Sequence, residues 1–189
     1  MTVQITSDEA ADALLDRDPF ALLVGMLLDQ QMPIERAFLG PYKLAQRMGV
    51  ERLDPEHVAG HDPEEFAALC SRPPAVHRFP GSMAGRIQAL AAHVRDEYEG
   101  DTAALWVTAS SGEQLYQRLA ALPGYGDQKA RIFEAFLGKQ RDVQPSGWRE
   151  ACEPYGEDGA TRSVADVVDP ASLQRVRSFK KSMRSGATS

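Results

Sequence analysis

Four times in this chain an aspartate is followed directly by a proline, at Asp18-Pro19, Asp54-Pro55, Asp62-Pro63 and Asp169-Pro170. The pair marks the start of a helix. The aspartate oxygen accepts the orphan amides of the first turn, and proline supplies a fixed φ where no amide partner exists. A chain that repeats this signal is committed to helices. Apolar residues recur at three- and four-residue spacing elsewhere, and no segment alternates with period two and β-branched enrichment. An all-α fold is therefore expected, without sheet.

The pattern predicts a short helix capped by Ser7 or Asp8 and running through Ala10, Ala13 and Leu14, and a second from Pro19. A third opens at Pro33, with Ala37, Phe38, Leu44 and Met48 facing inward, and ends at Gly49. Gly40-Pro41 predicts a kink or split within it. Further helices are expected after Pro55 and Pro63, over 82–98, 112–121 and 127–137, near 149–153, and after Pro170. The stretch beyond Gly138 reads mainly as loops, and residues after Gly186 as a frayed tail.

Residues 20–28, Phe-Ala-Leu-Leu-Val-Gly-Met-Leu-Leu, are apolar nearly all round, so this helix is expected at the centre of the core. With 189 residues and 43% hydrophobic content, the chain can form one domain or two small lobes sharing a core. The net charge of −6 argues against a generally basic nucleic-acid binder, so such a role needs a local basic face. Two runs offer one: Lys129, Arg131, Lys139 and Arg141, and the C-terminal Arg175, Arg177, Lys180, Lys181 and Arg184. On charge alone the second reads as a solvated helix face.

Cys70 and Cys152 are too few for a four-thiolate cluster or structural zinc site and read as reduced, partly buried thiols. His57, His61, His77 and His93 lack ligand spacing, so no metal is expected. No cofactor is expected either. Nothing at the N-terminus resembles a signal peptide and no apolar run is long enough to span a membrane. A cytoplasmic location follows, nucleoid-associated in a bacterium, with no membrane partner.

Two stretches point to chemistry. Leu122-Pro123-Gly124-Tyr125-Gly126, between two helical segments, has the form of a helix-hairpin-helix turn. Its glycines allow close approach, and the following helix start, with Gln128 and Lys129, faces a phosphate. The plainer alternative is a tight turn between packed helices. Tyr125 is expected to be exposed near a DNA backbone. The second stretch, Asp29-Gln30-Gln31, closes the apolar helix. The amides can simply cap its last carbonyls, or a glutamine can fill the gap left by a base flipped from a duplex.

The ordered set of 19–31, 83–90 and 119–130 resembles the helix-hairpin-helix–GPD superfamily of DNA glycosylases, over roughly residues 17–150. The resemblance implies a two-lobed all-α fold with a DNA and base cleft between the lobes, and base excision as the activity. The lobes are expected at about 32–138, ending in the hairpin, and 1–31 with 139–189.

Three departures qualify it. Only Cys152 falls where some members hold an iron–sulfur cluster, so none is expected. The family's amine nucleophile would fall on Gln128. Lys129 is one residue late, a rotation of about 100° on a helix, which predicts that it aims elsewhere, at phosphate, and that no strand cleavage occurs. The family aspartate would fall at Pro145 or Ser146. Asp142, the nearest acid, and Asp29, beside the glutamine lip, are the catalytic candidates, each with a plain structural alternative.

Trp148 and Tyr155 are candidates to stack on a flipped base, although a Trp after Ser-Gly is more often a core anchor. The expected function is that of a monofunctional, monomeric DNA N-glycosylase acting hydrolytically on duplex with a damaged or mispaired base. The alternatives are a catalytically silent binder of damaged or abasic DNA, and a helical scaffold whose hairpin binds protein.

Overall fold

The Asp-Pro pairs begin helices as their chemistry demands. In a computed structural model that describes residues 2–186, Asp18 caps the second helix through bonds from the Phe20 and Ala21 amides. Its other oxygen accepts the Leu53 amide at 2.7 Å, which ties two distant turns together. Asp54 and Asp62 cap their helices in the same way.

In chain order the helices are α1 Glu9–Arg17, α2 Pro19–Leu28, α3 Ile34–Met48, α4 Pro55–Gly60, α5 Pro63–Ser71 and α6 Pro80–Tyr98. They continue with α7 Ala104–Val107, α8 Gly112–Ala120, α9 Asp127–Gln140, α10 Trp148–Ala151, a 3-10 turn Val164–Asp166, and α11 Pro170–Gly186. The described residues contain no strand. The tail expected after Gly186 lies outside them.

Every residue of α2 from Phe20 to its end is buried. Full burial of one Leu or Phe side chain is worth about 1.5–3 kcal/mol, so α2 organises the core. It packs against α1, α3 and α6 and, on its hairpin-facing side, α9. Helices α4 and α5 pack on α6, while α8, α10 and the 3-10 turn pack on α9.

Several boundaries differ from expectation for identifiable reasons. Helix α3 is continuous through Gly40 and Pro41, both buried; its apolar face of Ile34, Ala37, Phe38 and Leu44 outweighs the cost of about 3 kcal/mol for an internal proline. Helix α1 turns Ala11, Leu14 and Leu15 inward, not Ala10 and Ala13. Helix α6 starts at Pro80, two residues early. Helix α9 runs past Gly138 to Gln140 because that glycine is a packing site, not a stop. A Cβ there would lie 2.3 Å from the Trp148 ring. The four-residue α7 is too short to leave a periodic signal.

Candidate nucleic-acid interface and base pocket

The hairpin joins α8 to α9. Leu122 is buried, Gly124 has φ +80°, and a Cβ on Gly124 would meet Leu27 Cδ1 at 2.4 Å. Glycine is thus required by backbone conformation and by contact with α2. Tyr125, expected at the surface, is instead buried, and its hydroxyl donates to the Leu23 carbonyl at 2.7 Å. The tyrosine anchors the turn onto α2. Pro123 is half-buried, and Gly126 and Gln128 are exposed. Helix α9 begins at Gly126 with no side chain capping its first amides, unlike α1, α2, α4, α5 and α8. Open amides at a helix start suit an anion.

Lys129 departs from the expectation that it turns away toward phosphate. Its ammonium passes under the hairpin and donates to the Leu27 carbonyl at the end of α2, and to Gln30 Oε1 at 3.1 Å. Burial lowers its pKa to about 8; the nearby Asp29 carboxylate opposes the shift, and Arg86 adds to it. The one-residue rotation is real, but it aims the lysine at α2.

The last residues of α2 and the loop after it form the lip. Gln30 turns inward to Lys129, and its carbonyl accepts from His77 Nε2 at 2.9 Å. Buried His77 receives the Phe79 amide on Nδ1, so both ring nitrogens are engaged and the lip is pinned to the start of α6. Gln31 is exposed and left-handed, with φ 57°. That conformation costs a non-glycine residue on the order of 1–2 kcal/mol. It holds the side chain proud of the lip.

Behind the lip lies a cavity of about 610 Å³ bordered by Asp29, Gln30, Gln31, Gln128, Lys129, Tyr155, Arg162, Phe179 and Lys180. The Asp29 side chain is only 4% exposed, and Lys180 Nζ on α11 approaches it at 3.4 Å. A carboxylate at the negative end of a helix is held there by cations, here Lys129 and Lys180. Tyr155 reaches the cavity, and its hydroxyl accepts from the Gln128 amide at 3.1 Å.

Other candidates fall elsewhere. Asp142 is exposed in left-handed conformation beyond the far end of α9, about 20 Å along the helix from the hairpin. The loop holding Pro145 and Ser146 passes over the start of α8, where the Gly112 amide donates to the Ser146 carbonyl at 2.8 Å. Trp148 is in the core against Gly138, with the Arg149 guanidinium 4.5 Å above its ring, and does not border the cavity. Its position gives no support to a stacking role.

The α9 cations form no basic face. Arg131 pairs with Asp127 at 2.9 Å, Lys139 with Asp166 at 2.6 Å and Arg141 with Asp16 at 2.8 Å. The C-terminal run is more than a solvated face: Lys180 and Arg184 border the cavity. His77, Arg162 and Phe179 had no motif to announce them and Lys180 only its place in the C-terminal basic run; the packing brings them to the lip. Both cysteines are buried, with thiols pushed up to about 12 by burial. Among the described residues no group of His, Cys, Asp and Glu is arranged to hold a metal ion, and no helix is long and apolar enough to cross a membrane.

Residues 24–187 match the family model described as HhH-GPD superfamily base excision DNA repair protein. The chain belongs to the HhH-GPD superfamily. Comparison with curated proteins and with solved structures gave no match. An HhH-GPD chain is all-helical, as found here, and its family works in base excision DNA repair. In this HhH-GPD member the hairpin and the glutamine lip meet at the end of α2.

Proposed function

We propose that this protein is a DNA N-glycosylase that accepts a flipped, damaged or mispaired base in the cavity behind the Gln30-Gln31 lip. The observation that supports this reading best is Asp29. A nearly buried carboxylate faces two lysines inside a cavity of about 610 Å³, within the size range of small-molecule sites. It borders an exposed glutamine held in a costly conformation.

In this reading the hairpin amides of Gly126, Asp127 and Gln128 hold a phosphate, and Gln31 fills the gap in the duplex. The N-glycosidic bond breaks with its electron pair leaving on the base. Asp29 stabilises the positive charge that develops on the sugar and orients a water. The water oxygen bonds to the sugar carbon, its proton passes to Asp29, and the departing base is protonated from solvent. The products are a free base and an abasic site. Tyr155 and Phe179 offer aromatic faces to the base. Asp142 is too far away to share this work, so Asp29 is the carboxylate we assign.

A second reading is favoured by Lys129. Its amine, with a pKa lowered to about 8, lines the same cavity. The neutral amine attacks the sugar carbon as the base leaves with the bonding electron pair; loss of an amine proton and opening of the sugar-ring C–O bond then give a Schiff base, and elimination of the 3′ phosphate from it breaks the strand.

The test is base release from duplexes containing alkylated purines, uracil, hypoxanthine, 8-oxoguanine or adenine opposite 8-oxoguanine, with and without hot alkali. Breaks only after alkali support the hydrolytic reading. Breaks without alkali, together with a protein–DNA adduct trapped by borohydride and lost in Lys129→Gln, support the second. Binding to these duplexes and to abasic DNA without release on any of them favours a silent binder instead.

A further inference from the structure

A second cavity, of about 700 Å³, lies on the other side of the lip from the base pocket. Arg78, Arg177, Lys180, Lys181 and Arg184 line it, and no lining residue is acidic among the described residues. It shares Gln31, Met32, Lys180 and Arg184 with the base pocket, so the two adjoin.

The helix that supplies most of these cations is attached mainly by its first half. Ser172, Leu173 and Val176 of α11 are buried, whereas Arg177, Ser178 and every residue from Lys181 to Gly186 are exposed. The Arg177–Glu35 pair at 3.1 Å moors the exposed half to α3. Arg177, Lys181 and Arg184 follow at four- and three-residue spacing, so they share one face of α11. Like charges at that spacing repel one another along a helix. In a chain of net charge −6, this concentration is the reverse of what the bulk composition supplies.

We propose that this groove between α11 and the 31–34 loop is a phosphate track that holds the DNA strand flanking the flipped nucleotide. The hairpin would then be one of two backbone contacts, set on either side of the lip. The inference rests on the glycosylase reading for what enters the neighbouring cavity.

The test is fluorescence anisotropy of a labelled duplex containing a tetrahydrofuran abasic-site analogue, titrated across a salt series. The wild type is compared with the double variant Arg78→Gln/Lys181→Gln and with Arg175→Gln. Arg175 lies on the same helix but borders two other cavities, so it controls, per charge removed, for loss of a cation outside the groove. Loss of two phosphate contacts lowers the slope of log K against log salt by about 1.8, and weakens binding on the order of tens of fold at 0.1 M salt. The control should keep the wild-type slope. Equal slopes in all three proteins, equal losses in both variants, or no binding of this duplex by the wild type would each overturn the phosphate track. Base release by the wild type tests the glycosylase reading separately. Slopes that separate as expected in a protein that releases no base would retain the groove and reject the enzyme.

Discussion

Asp29 and Gln31 sit two residues apart, and the proposed mechanism gives the first the chemistry and the second the opening of the duplex. Asp29→Asn should lower single-turnover base release by about 100- to 1,000-fold, as removal of one group that stabilises transition-state charge does elsewhere. Circular dichroism should show an unchanged fold. Gln31→Gly relieves the left-handed backbone, so its melting temperature should stay near that of wild type while base release falls. Similar losses of both properties would mean that the residue is only structural. If Lys129 is the nucleophile, strand cleavage should rise with pH as the amine loses its proton near its pKa of about 8, and level off above it. At this scale the sequence was informative about the lip, because polar residues ending an all-apolar helix need a reason. It could not place Lys129, because the direction of one side chain on α9 depends on how that helix packs against α2. Trp148 is the core anchor its Ser-Gly context favours, but its partner could not be named, because Gly138 reads locally as a helix stop.

Helices were the most legible level, since capping aspartates and first-turn prolines act within a few residues. Asp18 extends that local role to a distant one by also binding the Leu53 amide. Asp18→Ala should therefore cost about 2–4 kcal/mol in denaturant unfolding, combining a lost cap with a stranded buried amide. Gly124→Ala should cost about 2 kcal/mol, since it strains a left-handed position and presses on Leu27. A thermal melt should register this as a drop of about 4–8 °C. The α9 cations show what helix reading misses. Their spacing suggests a basic face, but each finds an acid or carbonyl on an element distant in sequence or on its own first turn. Only the assembled fold reveals that the C-terminal run, legible as a solvated helix face, brings cations of α11 to the cavities beside the lip.

A buried acid outside this machinery sets a pH dependence for the whole molecule. Glu134, on α9, has neither carboxylate oxygen hydrogen-bonded. Burial raises its pKa to about 8, Glu113 adds to the rise, and Arg131 opposes it. An acid whose folded pKa exceeds its unfolded value stabilises fully below the unfolded pKa, and loses that contribution as pH climbs to the folded value. Unfolding free energy should thus fall between about pH 4.5 and 8 by up to a few kcal/mol. Glu134→Gln should flatten that slope and be the more stable protein at pH 8. The all-α class and the family were legible in the order of the motifs. Lobe boundaries were less so, and a division near 32–138 is a proposal, since packing joins α8 to α9 and α10 while α4 and α5 lie on α6. The internal pairing of the α9 cations also bears on how such a protein would search a genome. Electrostatic attraction to any phosphate is what lets a protein slide along undamaged DNA. With net charge −6 and one basic groove, this chain would dwell briefly on normal duplex and travel by short hops. It would meet lesions by repeated collision, at a frequency set by its concentration.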